Sequence, residues 1–216
     1  MPPVSHPIPR FAAEPPQEPL PYGRFAERLR AEFLQACLRI DTEGEELGEP
    51  GDIAWFPERS WHGRTYVPAS ARTSAGLEVL GFVGYLPDTE GGEPSEFFAR
   101  ADFTADLAER NPDWTMDLGD DVIGRWRGES GEVAAMTLVW GRALVRDGVI
   151  ATAELAGEVV DQCPLDEERF TLIAPDDYRG DFLEIRLWDR GGRELARESL
   201  YAEDEEDEED GGEDAD

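Results

Sequence analysis

Four aspartates, Asp113, Asp117, Asp120 and Asp121, crowd one short stretch and have the composition of a hard-cation site. Calcium takes roughly six to eight oxygen ligands, and closely spaced carboxylates are its usual protein source. The spacing does not follow an EF-hand loop, and aspartate is equally at home in turns. The stretch is therefore read as a loop of solvated carboxylates, with calcium the one cofactor it could take.

Arg125, Trp126 and Arg127 follow directly. A guanidinium can stack on an indole or clamp an anion through two parallel hydrogen bonds, and it can equally pair with a neighbouring carboxylate. Upstream, Trp55, Phe56, Trp61, His62 and Tyr66 concentrate aromatic rings around one of only two histidines. Aromatic residues with arginine mark interface anchors, and they also serve as plain core packing. Trp55, Trp61, Tyr66, Arg125, Trp126 and Arg127 are the residues expected to meet a partner.

Catalytic chemistry finds less support. Only His62 could serve as a general base, because His6 falls in a proline-rich stretch, and no Gly-x-Ser-x-Gly elbow, dinucleotide fingerprint or zinc-ligand pattern occurs. Lysine is absent altogether. Schiff-base chemistry, pyridoxal anchoring and a P-loop all require it, so they are excluded. Cys37 and Cys163 have no metal or redox spacing and are read as small buried hydrophobes.

The basic residues are 20 arginines, set against 50 acids, for a formal charge of −30. Eight consecutive carboxylates, Glu203, Asp204, Glu205, Glu206, Asp207, Glu208, Glu209 and Asp210, open a C-terminal tail. Without residues 203–216 the chain still holds 39 acids against 20 arginines. Such a field repels nucleic acid and anionic lipid and favours encounter with a basic protein. No stretch approaches the ~18 apolar residues of a membrane span, nor does the start resemble a signal peptide, so a cytoplasmic location is expected.

These residues need elements to position them. Residues 1–21 hold eight of the 16 prolines and read as an extended arm, with a proline-rich ligand as the alternative. Over residues 22–40, Phe25, Leu29, Phe33 and Cys37 recur every fourth position beside Ala26, Leu34 and Leu38, the stripe of an amphipathic helix. Arg28 and Glu32 are placed to pair across one turn. A β-rich body spans residues 53–202. Strands are expected at Thr65–Val67, Leu77–Leu86, Val133–Val145, Val149–Leu155, Phe170–Ile173, Phe182–Trp188 and Glu194–Leu200. The second is apolar on both faces and suits a sheet centre. Hairpin turns are expected at Asp147–Gly148 and at Arg190–Gly192, and a short helix capped by Thr104 and closed by Asn111 and Pro112.

The expected fold is mainly β within an α+β class. It is an antiparallel sandwich or open barrel carrying an N-terminal amphipathic helix and one short internal helix, all in a single domain over residues 22–202. Residues 203–216 bury too little to order themselves. The expected function is that of a non-enzymatic acidic protein engaging a basic protein partner, of an immunity, mimic or adaptor type. The alternative is a small enzyme or ligand-binding module with a pocket near His62 and Trp61 or near Arg125 and Trp126.

Overall fold

The computed structural model describes residues 23–42, 44–88, 92–127, 133–176 and 182–200. The proline-rich arm and the acidic tail, including Glu203 to Asp210, lie outside the described residues. The rest is an antiparallel β protein with one α-helix, as the alternation of its strands requires.

Helix α1 (Arg24–Cys37) is set by its apolar stripe: Leu29, Phe33, Ala36 and Cys37 are buried, and Arg28 pairs with Glu32 at 2.5 Å. Leu38, assigned to the stripe from spacing, is 80% exposed. The helix has ended at Cys37, so the residue no longer follows its face.

The first sheet, A, holds β1 (Pro50–Trp55), β2 (Arg59–Trp61), β3 (Arg64–Thr73), β4 (Glu78–Leu86) and β5 (Ser95–Thr104). Its order is β1-β3-β4-β5, with β2 pairing β3 beyond the end of β1. Pro68 sits opposite the break between β1 and β2. Its carbonyl accepts the Phe56 N–H at 3.0 Å, so the donor that proline lacks would have pointed into the break. Strand β4 is central and buried on both faces, as its two apolar sets dictate.

Sheet B, in the order β10-β7-β6, is built from β6 (Met116–Arg127), β7 (Val133–Ala143) and β10 (Arg169–Asp176). Sheet C, in the order β12-β11-β8-β9, is built from β8 (Ile150–Leu155), β9 (Glu158–Pro164), β11 (Leu183–Trp188) and β12 (Glu194–Ser199).

Three apolar clusters stack the layers in the order α1, sheet A, sheet B, sheet C. Leu29 and Phe33 pack on Val67, Val79 and Val83 of sheet A. The opposite face of A presents Tyr66 and Phe82 to Met136, Leu138, Trp140 and Ile173 of sheet B. The far side of B presents Val139, Phe170 and Leu172 to Leu155, Leu183, Ile185 and Leu187 of sheet C. Strand β7 is therefore apolar on both sides, Met136, Leu138 and Trp140 facing one layer while Val139 and Ala143 face the other. Each fully buried Leu, Ile or Phe contributes about 1.5–3 kcal/mol.

Three sequence expectations are corrected. The aspartate-rich stretch is the edge strand β6 rather than a loop, because its alternate residues Met116 and Leu118 turn inward onto sheet C. The expected short helix is a single 3-10 turn, Ala108–Arg110. Thr104 Oγ1 instead accepts the Asp106 N–H at 3.0 Å in a local turn. Asp147–Gly148 does not close a hairpin. The strands on either side belong to different sheets, and the turn carries the chain from B to C. The turn at Arg190–Gly192 does join paired strands, with Asp189 Oδ1 accepting the Gly191 and Arg193 N–H groups at 2.8 and 3.0 Å.

Candidate functional site

Strand pairing decides which of the four aspartates can act together. Asp117 lies opposite Arg142 and Asp121 lies opposite Leu138 on β7, placing both on the face toward sheet A. Asp120 lies opposite Val139, out of phase with Asp117 and Asp121, and its position borders two of the groove cavities described below, with Asp176 and Asp121 as its charged neighbours. Asp113 is exposed in the turn before β6. The four do not converge, and no cluster of three metal-ligating side chains occurs among the described residues.

What forms instead is a groove between sheet A and β6, consisting of three adjoining cavities of about 480, 370 and 220 Å³. Phe56, Leu80 and Trp140 line it from the core side, and Glu78, Asp102, Asp106, Asp117 and Asp121 supply carboxylates. Pairing within β4–β5 and β3–β4 puts Glu78 opposite both Thr104 and Arg72, and Asp102 opposite Leu80, so these side chains share the face toward sheet B. Gly119 leaves room here. A Cβ at that position would lie 2.7 Å from the Trp140 ring.

Arginines close the groove at both ends. Arg100 donates to Asp121 at 2.9 Å and to the Val122 carbonyl at 3.1 Å, stitching β5 to β6. Arg142 stands 3.5 Å from Asp117, and Arg72 stands 3.7 Å from Glu78. The last two separations are too long for strong hydrogen bonds, so both carboxylates keep free acceptor capacity. Burial pushes the Glu78, Asp117 and Asp121 carboxyls above their ordinary values despite these arginines.

The expected partner residues separate into three places. Trp55 packs under α1, its ring 6.1 Å from Phe33. Tyr66 is 3% exposed between sheets A and B, edge-on to Phe82, and the expectation that it meets a partner is corrected: the interlayer core already occupies its ring. Trp61 and Trp126 share one cluster. Both pack against the A–B cluster, and the Trp61 ring lies over Gly124 of β6.

The corner around them includes His62, at the tip of the β2–β3 hairpin with φ 53°, and the exposed Arg125 and Arg127. His62 and Gly63, φ 79°, form the two-residue turn that the tight hairpin demands. None of the three groove cavities is lined by this corner. Cys37 and Cys163 are buried free thiols, each pushed up to about 11 by burial.

Fold and site together define a layered antiparallel β protein with an acidic, aromatic-floored groove. No protein-family model, curated protein or solved structure matches the chain. No helix among the described residues is long and apolar enough to cross a membrane.

Proposed function

We propose that this is a non-enzymatic cytoplasmic protein that engages a basic protein partner through its surplus of carboxylates. The observation that carries the reading is the segment between α1 and β1. There Glu45, Glu46 and Glu49 are exposed and have no ion pair among the described residues, and the next acid, the exposed Asp52 of β1, reaches the groove. Many of the chain's arginines are held by its own acids, as in Arg64–Glu96, Arg100–Asp121 and Arg186–Glu154. The excess negative charge is thus left facing solvent.

Such a surface acts first through long-range attraction. It raises the encounter rate with a cationic partner and loses that advantage as salt screens it. Residues 203–216 add 11 carboxylates to the field. Removing them slows association more than it speeds dissociation, and an unchanged association rate would exclude them from the mechanism. The Trp61–Trp126 corner offers aromatic surface for the docked state.

The deciding experiment is affinity capture from host lysate at low and high salt, using the full chain and an E45Q/E46Q/E49Q variant as baits. One basic protein retained by the first bait, released by salt and weakened in the variant is the expected result. Equal recovery by the two baits, or no basic protein at all, would remove the reading.

A further inference from the structure

We propose that Arg125 and Arg127 form a docking surface for the chain's own acidic run, Glu203 to Asp210. The contact does not depend on a basic partner. Every other arginine on a strand is ion-paired, from Arg59 with Asp161 to Arg197 with Glu194. Arg125 and Arg127 are exposed, and neither holds a carboxylate among the described residues. In a chain of 50 acids and 20 arginines, two neighbouring guanidinium groups left over on one strand call for an anion supplied from elsewhere.

Alternation sets both on one side of β6. Trp126 between them packs into the cluster between sheets A and B, so Arg125 and Arg127 project from the opposite side. Arg125 lies opposite Ala135 of β7, and Ala135 lies opposite Asp176 of β10, which makes one row across sheet B. Asp176 Oδ1 accepts the Leu183 N–H at 3.0 Å, and the Leu183 carbonyl accepts the Leu200 N–H at 3.3 Å. The last described residue is therefore tied to the row that Arg125 ends. Two strand spacings and these two hydrogen bonds put Leu200 roughly 20 Å from Arg125.

Extended at about 3.4 Å per residue, residues 203–210 cover distances of about 10 to 34 Å from Leu200. The middle of the run is thus long enough to meet the two arginines. An exposed ion pair is weak by itself, but tethering keeps the carboxylates near the millimolar range around the site. Eight consecutive acids also satisfy the pair of arginines in several registers. Arg197, nearer to the run in sequence, does not compete for it, because Glu194 already holds its guanidinium at 3.2 Å.

The test places a nitroxide spin label on a G211C variant of the full chain; Cys37 and Cys163 are buried and stay unlabelled. Backbone amide resonances are compared before and after ascorbate reduces the label. Those of residues 124–127 are expected to lose intensity at low salt. They recover it at about 1 M salt, where the screening length falls to about 3 Å. R125Q/R127Q, shown to be folded by an otherwise unchanged spectrum, removes the loss.

No loss on β6 overturns the proposal, and that is the result if Glu129 and Glu132 of the β6–β7 connection hold the two arginines instead. A loss spread evenly over the surface, or one that survives R125Q/R127Q, overturns it too. Mixing spin-labelled chains with isotope-labelled, spin-free chains reports contacts between copies, and an equal loss in that mixture overturns the intramolecular assignment. Capture of a basic protein from lysate is decided separately, so either result leaves the other standing.

Discussion

Arg59 Nη2 contacts both carboxylate oxygens of Asp161 at 2.5 Å, and the two side chains are almost wholly buried. The pair joins β2 of sheet A to β9 of sheet C. Asp161 also accepts the Ile173 N–H of sheet B at 2.9 Å, so one carboxylate holds three layers in register.

Breaking this pair from one side leaves a buried charge without its counter-ion. R59M or D161N is expected to cost about 3–5 kcal/mol, read as a fall in the urea midpoint at constant slope. A double variant, R59M/D161L, recovers much of the loss because two apolar side chains need no partner. If each single variant loses under about 0.5 kcal/mol, as an exposed pair would, the three-layer clamp is wrong.

The raised carboxyls of the groove make stability depend on pH with a definite sign. Between the ordinary carboxylate value and the raised folded value, the folded chain binds more protons than the unfolded chain. Unfolding free energy therefore falls as pH rises through that window. Asp189, which accepts the Arg193 N–H, and Glu194, which accepts from Arg197, are lowered and act the other way, but their exposure screens them. The midpoint is expected to be higher at about pH 5 than at about pH 7.5, and D117N should narrow the difference. A midpoint that climbs steadily with pH would contradict this account.

Both thiols should be slow to alkylate in the folded protein. A thiol pushed up to about 11, against an ordinary value of 9.0, holds about a hundredfold less thiolate near neutral pH, before burial blocks access. Labelling with iodoacetamide should be undetectable in buffer and complete for both cysteines in urea. Rapid labelling of either in buffer would show that its cover opens.

Gly124 is a second place where bulk is forbidden. A Cβ there would lie 2.5 Å from the Trp61 ring, so G124A is expected to cost about 1–3 kcal/mol and to shift the tryptophan emission. Trimming the obstacle in W61A should make the alanine nearly harmless. Equal cost in both backgrounds would mean that the two do not touch.

Much of the fold was legible because burial leaves a period in the sequence. Leu183, Ile185 and Leu187 alternate with Glu184 and Arg186, and β11 buries every second residue accordingly. The two-sided apolar run in β4 marked a sheet centre, and it is one. Strands β1, β2, β5, β6 and β9 are not announced by the sequence because they are edge strands, and in β5, β6 and β9 the pairing is also interrupted by register shifts near Leu86, Val122 and Glu154. The turn before β9, Ala156–Gly157, places an alanine at φ 53°, a position that composition alone would not have marked.

The groove was illegible for a different reason. Glu78 and Asp117 lie in different sheets and meet only when the layers stack, so no spacing along the chain announces them. Conversely, the spacing of Asp113, Asp117, Asp120 and Asp121 suggested a common site that alternation along a strand then divided. Trp61 and Trp126, distant in sequence, pack against the same interlayer cluster.

The order in which strands enter the layers has a consequence for how the molecule could be cut. Helix α1 and all of sheet A come from residues 24–104, whereas β10 leaves sheet C's sequence to complete sheet B before β11 returns. Sheets B and C are interlaced and cannot be separated by one cleavage, but a nick at the 3-10 turn Ala108–Arg110 divides the chain between layers. The two pieces would each expose one side of the Tyr66–Phe82–Trp140 cluster, and that shared surface makes them natural halves for fragment complementation.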